Sequence, residues 1–114
     1  MVVDDDRDFR RVVTRILIGL GLTVAGEAAT AAGAIAAART LRPDAVLVDV
    51  GLPDRDGVTL ARELTSLPWR PRVVLTSTNR DATTPSALHD SGALAFVPKE
   101  DLPDAPLRSL LTGE

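Results

Sequence analysis

Five polar side chains stand where runs of apolar residues stop. Asp4 and Asp5 follow Met1, Val2 and Val3. Asp49 closes "AVLVD" (Ala45 to Asp49), Thr76 falls near the end of "RVVLTS" (Arg72 to Ser77), and Lys99 comes two residues after "ALAFV" (Ala93 to Val97). A carboxylate at the end of a core strand forgoes better solvation elsewhere, so its position asks for a reason. Carboxylates within a few ångströms of one another repel and raise one another's pKa unless a cation intervenes. With no cysteine and a single histidine in the chain, oxygen donors select a hard ion. Mg²⁺ fits best, held by one or two carboxylates together with waters and phosphate oxygens. A carboxylate beside such an ion, with an ammonium and a hydroxyl close by, is equipped to receive a phosphoryl group.

These residues need elements to position them. Phe9, Val12, Val13, Ile16, Leu17 and Leu20 share one face of an amphipathic helix, which Asp6 caps and which stops near Gly19 or Gly21. "LTVAGEA" (Leu22 to Ala28) reads as a short strand. The alanine-rich segment after Thr30 reads as a helix with Ile35, Ala38 and Leu41 inward, weakened by Gly33 and ended by Pro43. Ala45 to Asp49 is a continuous apolar run, the pattern of a strand covered on both faces. A helix over Val58 to Ser66 turns Leu60, Ala61 and Leu64 inward, and "PWRP" (Pro68 to Pro71) separates it from the strand Arg72 to Ser77. The polar segment Asn79 to Ser91 predicts a weak helix starting near Thr84 or Pro85. A fifth strand over Ala93 to Val97 and a short helix over Pro106 to Leu111 complete the pattern. Alternating strands and helices predict an α/β fold: a single doubly wound five-stranded parallel sheet with helices on both faces and one domain over residues 1–114, for which the flavodoxin-like order 2-1-3-4-5 is a common arrangement and the one expected here.

Composition narrows the function. The 114 residues are 45% hydrophobic and 25% charged with a formal net charge of −3, ordinary values for a globular domain. The arginines are scattered, which argues against direct nucleic-acid binding. No apolar run approaches the ~20 residues needed to cross a bilayer, and no basic segment followed by an apolar one marks a secretory signal. Absence of cysteine fits a reducing cytosol. The first strand is short beside the usual five or six residues.

In the order 2-1-3-4-5, ligands bind beyond the carboxyl ends of the strands, at the switch between strands one and three. Asp4, Asp5 and Asp49 then converge there, flanked by Thr76 and Lys99. Taken singly, each has a plain alternative. Asp6 and Asp8 suit helix capping, Asp54 and Asp56 suit a solvated loop, threonine favours strands anyway, and Lys99 alone would be a surface charge. The weight lies in their falling on one rim.

With "VVDDD", "VLVDVGLPDRDG", "VVLTS" and "FVPK" in this order and spacing, the sequence resembles the receiver domain of two-component response regulators over essentially its whole length. The resemblance implies that Asp49 is the phospho-acceptor and that Mg²⁺ is held by Asp5, Asp49, the backbone carbonyl of Gly51 and, through water, Asp4. It implies that Thr76, Ser77 and Lys99 bind the phosphoryl group and that Thr76 and Phe96 form the switch, moving the face of the fourth helix, fifth strand and fifth helix. The register that makes Asp4 and Asp5 the acidic pair also puts Phe9 and Val12 on the core face of the first helix. One departure concerns the lysine: the family often has proline after it, whereas here Pro98 precedes Lys99 and Glu100 follows.

The implied donor is a sensor histidine kinase or phosphotransfer protein. The implied target is an output protein or domain, including a DNA-binding domain outside this chain, with homodimerisation on phosphorylation as a further option and the cytoplasm as location. No multiple-turnover small-molecule reaction is expected. Other classes fit less well. A haloacid-dehalogenase-type phosphatase would use Asp4 and Asp6 as its DxD, but it needs a cap and leaves the LPxxDG loop without a role. An FMN carrier would meet three aspartates where its phosphate should sit. A receiver-like interaction module that works without phosphorylation is the alternative that keeps the fold. Phe96 has its own plain reading as core, and His89 reads as solvent-facing.

Overall fold

In a computed structural model covering residues 1–114, β1 (Val2–Val3), β2 (Glu27–Ala28), β3 (Ala45–Asp49), β4 (Arg72–Ser77) and β5 (Ala95–Pro98) form a parallel sheet of order β2-β1-β3-β4-β5. The helices are α1 (Arg7–Gly19), α2 (Ala31–Leu41), α3 (Gly57–Thr65), α4 (Pro85–Ser91) and α5 (Leu107–Thr112). A 3₁₀ segment, Lys99–Asp104, follows β5 directly. The sheet order is the expected one, and β3 and β4 have the bounds that their apolar runs predict. No helix is long and apolar enough to cross a membrane.

Each face of the sheet has its own core. Val3, Val46, Val48, Val73 and Leu75 meet α2 and α3 on one side. Val2, Leu47, Val74 and Val97 meet α1 and α5 on the other. The period-2 alternation of strand residues sends neighbours to opposite faces. Caps set the helix starts. Asp6 accepts from the Asp8 and Phe9 amides, Thr30 from Gly33, Asp56 from Val58 and Thr84 from Ala87. Gly92, at φ +79°, ends α4 in the left-handed conformation.

Several expectations need correction. Val12 is 55% exposed: the arc of α1 that touches the sheet holds buried Val13 and Leu17 with half-buried Phe9 and Ile16, and Val12 lies past its edge. Leu20, at the cap beyond the last turn, is also exposed. In α2 the inward stripe is Ala31, Ala34 and Ala38; Ile35 flanks it, and Leu41 is 44% exposed. Small side chains let that helix lie close to the sheet.

The second strand is shorter than Leu22 to Ala28, although burial alternates along the whole segment, with Leu22, Val24, Gly26 and Ala28 the more covered residues. Only Val2 and Val3 of β1 pair with it, so the pattern of a strand extends past the residues that have a partner. Leu22 and Val24 instead border a cleft of about 720 Å³ together with Leu41, Leu47 and Leu111. The fifth strand begins two residues later than Ala93, because the Ala93 amide bonds the Ser91 hydroxyl while the chain leaves α4.

Candidate functional site

Two strands end on acids at the same rim. Asp4 follows β1 and is fully buried, Asp5 beside it is exposed, and Asp49 at the end of β3 is 7% exposed. One oxygen from each lies within 4.8 Å of the others. Asp4 is held from three sides: its Oδ1 accepts from the Asp6 amide at 2.8 Å, its backbone carbonyl accepts from Arg10 Nη1 at 2.6 Å, and Lys99 Nζ stands 2.7 Å from Oδ2. The lysine contact is a charge contact without the alignment of a hydrogen bond, and buried Oδ2 is otherwise unpartnered. Lys99 Nζ is 3.9 Å from Asp49 Oδ2 and 4.0 Å from the centre of the Phe9 ring.

Burial pushes the Asp49 carboxyl above the ordinary carboxylate range, and the charges of Asp4 and Asp5 push the same way. The Lys99 ammonium and the Gly51 backbone amide oppose this. A buried carboxylate with two other acids beside it suits a cation-binding and nucleophilic site better than a structural one. The donors fit a hard divalent ion: carboxylate oxygens from two chain segments, one of them buried and lacking a directed bond.

Thr76 pairs with Asp49 across β3 and β4, but its hydroxyl faces β5 and donates to the Val97 carbonyl at 2.7 Å, in a fully buried bond. Ser77 is buried, and its hydroxyl accepts from the Asn79 amide at 3.0 Å. Gly51 lies next to Asp49, since a Cβ there would come 4.0 Å from Asp49 Oδ2. Phe96 is half-buried and points to the α3–α4 side, in the cluster that includes Ala82 and Leu88. The chain therefore gathers Asp4, Asp5, Asp49 and Lys99 into contact, while Thr76 is adjacent but turned away and Phe96 sits on the other face of the sheet. All peptide bonds are trans, Pro98 is the last residue of β5 and Lys99 the first of the 3₁₀ segment.

A family model described as the response regulator receiver domain matches residues 1–108. The chain belongs to the receiver-domain family of response regulators. It is 38% identical over 102 residues to a protein-glutamate methylesterase/protein-glutamine glutaminase of Alkalilimnicola ehrlichii, covering 87% of this chain and 26% of that protein. It is 33% identical over 99 residues to the KDP operon transcriptional regulatory protein KdpE of Escherichia coli, covering 87% and 43%. The chain thus spans between a quarter and a half of these curated relatives. Among solved structures, it matches the signal receiver domain of the response regulator NarL from Mycobacterium tuberculosis with TM-score 0.80 and 30% identity, over 96% of this chain and 90% of that one. The BeF3-activated receiver domain of Klebsiella pneumoniae RstA gives 0.83 and 28%, over 97% and 96%.

Two parts of this receiver's site were not evident from residue types. Asp54, which reads as a loop acid, bonds the Ala31 and Ala32 amides at 2.8 and 3.0 Å, tying the β3–α3 loop to the start of α2. These two amide bonds hold its carboxyl below the ordinary range. Phe9 reads as core but also lies under Lys99. The first contact leaves no local pattern, because donor and acceptor are over twenty residues apart. The second could have been suspected from an aromatic one helical turn after the acidic pair.

Proposed function

We propose that this receiver takes a phosphoryl group onto Asp49 from a histidine kinase or phosphotransfer protein and passes the signal to an output protein or domain in the cytoplasm. The observation that carries the reading is the meeting of Asp4, Asp5 and Asp49 oxygens within 4.8 Å beside Lys99, an arrangement that repulsion would disfavour without a ligand. Asp5, Asp49 and the Gly51 carbonyl would hold Mg²⁺ directly, and Asp4 would hold it through water. The ion, when bound, neutralises charge on the phosphoryl oxygens. An Asp49 carboxylate oxygen attacks phosphorus in line. The new P–O bond forms as the P–N bond of the phosphohistidine breaks, and the departing imidazole takes up a proton. Lys99 pairs with one phosphoryl oxygen, while the Thr76 hydroxyl and the Ser77 backbone amide bond others.

The switch follows from what these groups do before phosphorylation. Thr76 must leave the Val97 carbonyl to reach the phosphoryl group, which shifts its β5 neighbours and lets Phe96 turn. Phe96 and Leu88 of α4 pack against the same core cluster, which would tie that turn to the α4–β5–α5 face, the surface offered to the output partner or to a second copy. Acetyl phosphate with Mg²⁺ should add one phosphoryl group by intact-mass spectrometry and none to Asp49→Asn. Labelling that persists in that variant would refute the assignment.

A further inference from the structure

Lys99 presents a positioning problem. Its ammonium ends a flexible four-carbon stem, its backbone lies at the junction of β5 and the 3₁₀ segment, and the two carboxylates near it compete. Asp4 Oδ2 is 2.7 Å away and Asp49 Oδ2 3.9 Å. Electrostatics alone would draw the lysine toward Asp4, away from the nucleophile. The Phe9 ring supplies a third restraint, since Nζ lies 4.0 Å from its centroid, well inside the ~6 Å reach of a cation–π contact. Only 14% of the Lys99 side chain is exposed, and such contacts strengthen as water is excluded.

The ring itself is well placed to act as a fixed surface. Phe9 sits in the first turn of α1, where its amide bonds the Asp6 cap at 3.3 Å, and it packs on the cluster of Val13, Leu17, Val97 and Leu102. We propose that Phe9 is a positioning residue for Lys99, its ring face holding the ammonium between Asp4 and Asp49 where a phosphoryl oxygen on Asp49 would meet it. The proposal rests on the phospho-acceptor reading for its consequence, but the stacking itself does not. A purely structural Phe9 would be replaceable by any apolar side chain of similar size, and that contrast makes the idea testable.

In the wild-type protein, the Lys99 ε-methylene protons should resonate upfield under the ring current. Phe9→Leu should abolish that shift, and Phe9→Trp should keep it. Labelling by acetyl phosphate should slow about two- to tenfold in Phe9→Leu, the range of a partly desolvated cation–π contact, and recover in Phe9→Trp. In a Lys99→Ala background, Phe9→Leu should cause no further loss. Phe9→Met serves in the same way if the leucine variant folds poorly. Wild-type labelling rates in both Leu and Met variants, or an equal loss with and without Lys99, would overturn the proposal. A wild-type chain that is never labelled would sink the phospho-acceptor reading, and the ε-proton shift would still decide the stacking.

Discussion

Replacing Thr76 by valine removes one hydroxyl from a fully buried site and keeps the shape of the side chain. In the unphosphorylated protein that hydroxyl bonds the Val97 carbonyl at 2.7 Å, a neutral bond worth about 0.5–1.5 kcal/mol net. In the activated state proposed above it would bond a charged phosphoryl oxygen, worth about 1.5–3 kcal/mol. What biases the switch is the difference, about 1–1.5 kcal/mol at the centre of these ranges. A full swing from 1:99 to 99:1 needs about 5.5 kcal/mol, so the threonine supplies roughly a quarter of it. Since 1.4 kcal/mol is tenfold, a population of about 99% active should fall to roughly 90% in Thr76→Val.

Beryllofluoride with saturating Mg²⁺ stands in for the phosphoryl group, and the amide resonances of Phe96, Val97 and Leu88 report the two states. The valine variant should show these peaks displaced by about a tenth of the way back toward the unliganded positions, with Thr76→Ser close to wild type. The unliganded variant should lose about 1 kcal/mol of stability in urea, because the Val97 carbonyl is left unpaired. An activation shift that vanishes entirely, or one that does not change, would refute this division of the free energy.

Two further outcomes follow from the acids. Asp49 is harder to ionise in the folded than in the unfolded chain, first through burial and then through Asp4 and Asp5. Its contribution to stability is therefore whole below the unfolded pKa of about 3.9 and is lost as pH rises through the folded value. Without metal, Asp49→Asn should raise the melting temperature at pH 7, with an advantage that shrinks toward pH 4; a pH-independent difference would contradict the cause. Asp5 is exposed, so Asp5→Asn should leave the metal-free melting temperature nearly unchanged. It should also abolish the gain of about 2.7 kcal/mol expected of the wild type at Mg²⁺ a hundredfold above its dissociation constant, as differential scanning fluorimetry with and without chelator would show.

The sheet was legible because its central strands are buried on both faces, which leaves β3 and β4 as unbroken apolar runs with sharp polar ends. Leu60, Ala61 and Leu64 were legible as the inner face of α3 for a similar reason: a single stripe faces one surface. Helices at the margin of contact were not. Val12 and Leu41 fit their helical stripes by spacing, yet the extent of covering surface is decided by neighbours distant in sequence. Gly57 matters through its size, which spacing does not show: a Cβ there would fall 2.2 Å from the Asp49 carbonyl oxygen, so the start of α3 can lie against the acid-bearing strand only with glycine in place. The convergence of Asp4, Asp5, Asp49 and Lys99 came from topology, whereas the resting partner of Thr76 depends on a rotamer that spacing does not encode.

That rotamer bears on which resting contacts matter to the proposed switch. Arg80, in the loop after β4, pairs with Glu100 and Asp101 of the 3₁₀ segment, bridging the loops that follow Thr76 and Lys99. It looks like a latch, but all three side chains are about half exposed or more, and exposed pairs contribute little and are screened by salt. The Thr76–Val97 bond and the Lys99–Asp4 contact are shielded from water, so they weigh more on the balance between states than the Arg80 pairs do. Activation should accordingly respond less to ionic strength than to loss of the Thr76 hydroxyl or the Lys99 ammonium.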